Sequence, residues 1–140
     1  MRAVMIVFAL LAVAGCAAKA PSVGPQILSV GDRGPMPWPS AAVEPSDALP
    51  RILHIHLNAD VVRPGSVWSG RIATSTNVAS VEIRTELFSF NAERIAFGQF
   101  SFSQQIVDLP SVFQRGYVLR VIARNTAGVR AEQDIPFRFR

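Results

Sequence analysis

The chain has 140 residues, 14 of them basic and 10 acidic, for a formal net charge of +4. All but one of the basic side chains are arginine. They are scattered, with no dense block and no interleaving with aromatic residues, which argues against nucleic-acid binding. The single cysteine, Cys16, leaves no partner for an internal disulfide, so the folded part must stand on its core alone.

Met1-Arg2 gives a short positive start, and residues 3–14 are uninterruptedly apolar. That length suits a signal-peptide core and falls short of the roughly 20 residues that span a bilayer. The run closes on small side chains before the cysteine. Val13-Ala14-Gly15-Cys16 resembles the bacterial lipobox: a branched apolar residue, two small residues, then cysteine. The resemblance implies that residues 1–15 are a removable signal peptide and that Cys16 is the lipidation site, taking a diacylglycerol on its thiol. An ordinary secretory signal cut near Ala17-Ala18 is the alternative. Two or three acyl chains, at about 0.8 kcal/mol per buried methylene, hold a protein stably on a membrane where one would not. The position after Cys16 is Ala17 rather than Asp, which in the resembled family favours the outer of two membranes. The expected location is therefore exported and membrane-anchored.

Seven of the ten prolines fall in residues 17–50, with Gly24, Gly31 and Gly34 among them. Such a composition buries little apolar surface against its chain entropy. Residues 16–50 therefore read as the lipidated cysteine and a flexible tether reaching about 100 Å when extended. Within it only Ile27-Leu28-Ser29-Val30 looks strand-like. Met36-Pro37-Trp38-Pro39 reads either as a segment packing Trp38 back on the domain or as a peptide that docks in a partner's aromatic groove.

From Arg51 the pattern turns to short β runs separated by turn residues, so residues 51–140 are the folded domain. Residues 52–57 alternate, with Leu53, Ile55 and Leu57 on one face. His54 and His56 share the other. At i and i+2 they can hold a metal, but no spacing supplies a third ligand, and the plainer reading is two solvated histidines on an outer face. A second strand covers residues 67–74, with Trp68, Gly70 and Ile72 on one side. Residues 78–90 are β-rich, but Phe88 and Phe90 fall out of phase with Val81 and Ile83, which predicts a bulge or a change of sheet. Glu82 and Glu86 read as part of a salt-bridged surface. Residues 91–94 read as a turn, and residues 95–102 and 104–109 as further strands. Phe88, Phe90, Phe97, Phe100 and Phe102 read as core, the alternative being an exposed edge that binds a partner by strand addition.

Residues 117–125 alternate over nine positions, with Tyr117, Leu119, Val121 and Ala123 inward and Arg120 and Arg124 outward. Thr126-Ala127-Gly128 closes a hairpin onto residues 129–140, where Ile135, Phe137 and Phe139 share a face. Pro136 lacks an amide hydrogen and predicts an edge strand or a bulge. Tyr-x-Leu-x-Val-x-Ala-x-Asn-x-x-Gly, from Tyr117 to Gly128, is similar to the penultimate strand and final hairpin of fibronectin type III and related bacterial immunoglobulin-like domains. Leu109-Pro110 resembles the loop before that strand, at a longer spacing that favours a generic immunoglobulin-like sandwich. The resemblance implies an all-β fold of about seven strands in two sheets, with Trp68 and Tyr117 in the core and the Tyr117 hydroxyl bonded to nearby backbone.

No Gly-x-Ser-x-Gly elbow, phosphate-cradling loop or acid–base–nucleophile spacing is present, so no catalytic, cofactor-binding or metal residue is assigned and no enzyme is expected. The expected function is a membrane-anchored envelope lipoprotein. Its immunoglobulin-like domain would be a non-catalytic protein-binding or structural module. The alternative is a cell-wall or carbohydrate-binding module with Trp38, Trp68 or Tyr117 as sugar platform. The expected partners are the membrane, through the lipid, and an envelope protein. No nucleic acid, cofactor or small-molecule substrate is expected.

Overall fold

The computed structural model describes residues 27–140; the expected signal peptide, residues 1–15, and Cys16 lie outside the described residues. Strand β1 (Leu28–Val30) comes first. After a long irregular stretch follow β2 (Ile52–Leu57), β3 (Val61–Val62), β4 (Val67–Thr74) and β5 (Val78–Arg84). Then come β6 (Ser89–Asn91), β7 (Glu93–Ala96), β8 (Gln99–Gln105), β9 (Gly116–Asn125) and β10 (Arg130–Phe139). They form two five-stranded sheets, in the orders β1-β2-β4-β8-β7 and β3-β10-β9-β5-β6. Both sheets are mixed: β1 runs parallel to β2 and β3 parallel to β10, while the other pairs are antiparallel. The fold is all-β, and among the described residues no helix is long and apolar enough to cross a membrane.

The alternation read from the sequence builds the core. Ile55, Ile72 and Phe100 stand in register across the first sheet, and Val121, Ile83 and Ile135 belong to the inner face of the second. Each such side chain contributes about 1.5–3 kcal/mol by leaving water. Trp68 is 1% exposed and stacks on Phe137 at 4.7 Å, with Phe102 edge-on at 5.6 Å. Tyr117 is buried beside Phe137 and Phe139, and its hydroxyl donates to the Phe113 carbonyl at 3.0 Å. Trp68 and Tyr117 thus sit in the core as expected. Phe100 and Phe102 are buried, Phe88 and Phe90 are half-buried against them, and Phe97 alone of the five stands exposed.

The phase slip has a specific origin. β5 ends at Arg84, the Thr85 amide donates to the Phe88 carbonyl in a turn, and β6 returns beside β5. The chain then changes sheet at Ala92, whose amide donates to Val81 O at 2.8 Å, and β7 joins β8 on the other side. Residues 91–94, expected as a turn, are this crossing between two strands. The Phe97-Gly98 turn, with Gly98 at φ +65°, divides the strand expected over residues 95–102. Pro136 faces Val118 on β9, and β3 pairs only with Arg138 and Phe139, so the other side of Pro136 needs no amide hydrogen.

The flexible tether expected over residues 16–50 does not describe residues 27–50. Ile55 N donates to Ile27 O at 2.6 Å and Gly31 N to Leu57 O at 3.0 Å, so β1 covers the edge of β2. Thr76 N donates to Ala42 O at 2.8 Å. Asn77 and Asn125 both donate side-chain N–H groups to the Ala48 carbonyl, at 2.7 and 3.1 Å. A proline-rich segment has few hydrogen bonds of its own to make. Here polar groups on the ends of the sandwich supply them, and Pro50 is buried.

Candidate functional site

The docked segment lies over the outer face of the first sheet. His54, Ala73 and Gln99 stand in register across β2, β4 and β8 on that face, as do His56, Arg71 and Ser101. Trp38 is laid over these rows. Its indole N–H donates to Gln99 Oε1, and Gln99 Nε2 donates in turn to the Pro39 carbonyl at 3.1 Å. The indole meets the rings of His54 and His56 edge-on, at 5.6 and 6.5 Å between centroids. The Arg71 guanidinium lies 4.4 Å from the indole centroid, a cation–π arrangement.

His54 and His56 are therefore not solvated. Both are 8% exposed, because the segment read as a tether covers them. Ser29 Oγ lies 2.8 Å from His54 Nε2 and 2.9 Å from His56 Nδ1. A hydroxyl carries one hydrogen and two lone pairs, so Ser29 donates to at most one ring and accepts an N–H from at least one of them. The i, i+2 spacing brought the rings onto one face as expected. What they share is a serine from β1, and no group of three or more metal-ligating side chains occurs among the described residues.

Beside this clasp opens a cleft of about 420 Å³, lined by Asp32, Met36, Trp38, His56, Arg71 and Phe102 among others. Behind it, on the core side of β4, packing requires a glycine. A Cβ at Gly70 would lie 2.5 Å from Phe102 Cε1 and 2.8 Å from His56 O. A larger hollow of about 530 Å³ lies near Asp60, Glu86, Pro136 and Arg138, on the second sheet. There Glu86 is already paired with Arg115 at 2.9 Å. The Trp38 cleft is the one where an indole, an imidazole, a guanidinium and a carboxylate converge.

On the second sheet Glu82 is more than a surface ion-pair residue. It is 9% exposed and accepts from Ser89 at 2.7 Å, Arg124 at 2.8 Å and Arg84 at 2.8 Å. The Ser89 and Arg124 hydrogen bonds hold its carboxyl at about 2, against the opposing effect of burial. This network ties β5, β6 and β9 together.

Of the residues singled out in the sequence, the structure brings His54, His56 and Trp38 together. Ser29, Asp32, Arg71 and Gln99 were missed. They come from three separate segments, and no spacing in the sequence connects them. Cys16 lies outside the described residues.

No protein-family model matches the chain, and no curated protein matches it in sequence. Solved structures similar to it include two of one protein. One is superoxide reductase (neelaredoxin) from Ignicoccus hospitalis, 14% identical, covering 66% of this chain and 81% of that one with a TM-score of 0.41. The other is a variant of that same protein, 14% identical over 66% and 80% of the two chains, TM-score 0.39. The expected function is corrected on this finding: the matched structures bear the names of enzymes, not of protein-binding or structural modules. At this identity and TM-score the likeness transfers no activity to the chain. The carbohydrate alternative falls on the structure as well. Trp68 and Tyr117 are 1% and 4% exposed, and Arg71 lies against the indole of Trp38.

Proposed function

We propose that the chain is an exported protein, anchored in a membrane by lipid on Cys16, that presents an immunoglobulin-like sandwich bearing the Trp38 cleft. The anchoring half of this reading is carried by one observation: the sole cysteine ends an apolar leader in Val13-Ala14-Gly15-Cys16, and every strand described is built from residues after it.

The immunoglobulin-like reading is supported by strand pairing. The order β2-β4-β8-β7 matches A-B-E-D, and β10-β9-β5 matches G-F-C, with β3 and β6 as the short additions flanking that second sheet. The Tyr117 hydroxyl bonded to the Phe113 carbonyl matches the corner made before the penultimate strand of such domains. The chain departs from antibody domains in placing its core tryptophan, Trp68, on the second main strand rather than the third, and in having one cysteine.

The test is the mature N-terminus. Wild-type protein recovered from membranes should begin at Cys16 with a diacylglycerol-sized mass added, and Cys16→Ser should leave the membrane fraction or keep its leader. A wild-type N-terminus after Ala18 without added mass would refute the anchor.

A further inference from the structure

The cleft under Trp38 contains two opposite charges without an ion pair among the described residues. Arg51, Arg84, Arg115, Arg120, Arg124 and Arg130 each pair with a carboxylate. Among the described residues Arg71 has no ion pair and no side-chain hydrogen bond; its guanidinium rests on the face of Trp38. Asp32 lines the same cleft and likewise has neither an ion pair nor a hydrogen bond among the described residues. The two are not paired with each other. A guanidinium 4.4 Å above an indole centroid makes its contact through carbon and π density and leaves its N–H donors without a hydrogen-bond partner, donors suited to capture of a carboxylate. Asp32 makes the site unfavourable for a phosphate or another multiply charged anion and favourable for a ligand that also carries a cation.

Ser69 and Ser101 add hydroxyls to the lining, and two other polar groups there are already engaged. Asn58 Nδ2 donates to Val67 O at 2.9 Å, and its Oδ1 accepts from Ser69 N at 3.0 Å. His56 Nδ1 is held by Ser29. The apolar part of the lining is Pro35, Met36 and the edge of Trp38, because the Phe102 ring lies on the core side of the sheet against Trp68. A volume of about 420 Å³ lies within the range of small-molecule sites.

We infer that this cleft binds a small zwitterion of the free amino acid class with an apolar side chain. Its carboxylate would lie on Arg71, its ammonium on Asp32, and its side chain against Pro35 and Met36. The inference does not depend on lipidation of Cys16.

The test uses the full chain in detergent, titrated with L-leucine and read by the indole N–H resonance of Trp38. The parallel probes are the amine lacking the carboxylate, the acid lacking the ammonium, and inorganic phosphate. Leucine should bind saturably, and each single-charge analogue about tenfold or more weaker. Phosphate should not compete. Arg71→Met and Asp32→Asn should each weaken leucine by a similar factor, while Arg130→Gln, far from the cleft, should leave it unchanged. Asp32 is exposed in a loop, so its variant keeps the test valid should Arg71→Met fail to fold. Absence of leucine binding at millimolar concentration, equal binding of the analogues, or indifference to Asp32→Asn would overturn the inference.

Discussion

The side chain of Asn125 donates to the carbonyl of Ala48 at 3.1 Å, linking positions 77 residues apart. Asn125 is buried, and its Oδ1 also receives the amide of Val129 at 2.9 Å, so one amide side chain closes the β9–β10 turn and holds the docked segment. Asn125→Ala should therefore lower stability by about 1–2 kcal/mol. It should also expose residues 27–50 to protease before the sandwich itself unfolds. Urea unfolding with limited proteolysis checks both. Equal protease resistance in the variant would mean that other contacts suffice to hold the segment.

Ser29→Ala removes the hydroxyl shared by His54 and His56. Each ring loses a hydrogen bond in a setting with little access to water, at a cost of about 1–2 kcal/mol. The loss should appear locally: the amides of Ile55 and Gly31, which tie β1 to β2, should exchange faster while those of β9 do not change. Hydrogen exchange resolved by residue distinguishes this from a global effect.

Gly70→Ala puts a methyl group 2.5 Å from the Phe102 ring and 2.8 Å from a backbone oxygen. The ring would have to leave its contact with Trp68. Overpacking of this kind costs about 1–3 kcal/mol. The thermal midpoint should fall, and the near-ultraviolet signal of Trp68 should change with it.

Glu82 gives a pH dependence of known sign. Its folded carboxyl is held at about 2 against an ordinary 4.5, so between those values the unfolded chain binds more protons. Stability from this group is complete above the window and is lost as pH falls through it. Glu82→Gln should cost about 2 kcal/mol at neutral pH and flatten the acid limb of stability against pH. Urea midpoints at several pH values between about 2 and 4.5 would show it. An unchanged acid limb would mean that other carboxylates dominate it.

Alternation made much of the sandwich readable from the sequence. Tyr117, Leu119, Val121 and Ala123 had to share a face, and the hairpin to β10 followed from Thr126-Ala127-Gly128. The change of sheet at Ala92 showed only as a parity slip at Phe88 and Phe90, because a crossing leaves no composition signal of its own. The site was half legible. Two histidines at i and i+2 on a strand were visible, but whether they met water depended on residues 27–50. That segment's composition speaks for disorder when considered alone; its order comes from Thr76, Asn77, Asn125 and Gln99, far along the chain. Arg71 read as one more surface arginine until Trp38 was placed against it.

The pairing of β1 with β2 also sets a leash. Were the chain anchored at Cys16, ten residues would separate that point from Ile27, where the sheet takes hold. Fully stretched, such a segment spans at most roughly 40 Å. A tether running to residue 50 would have let the domain roam through a shell more than twice as deep. On that anchor the shorter leash would confine the Trp38 cleft to the layer of solution next to the bilayer.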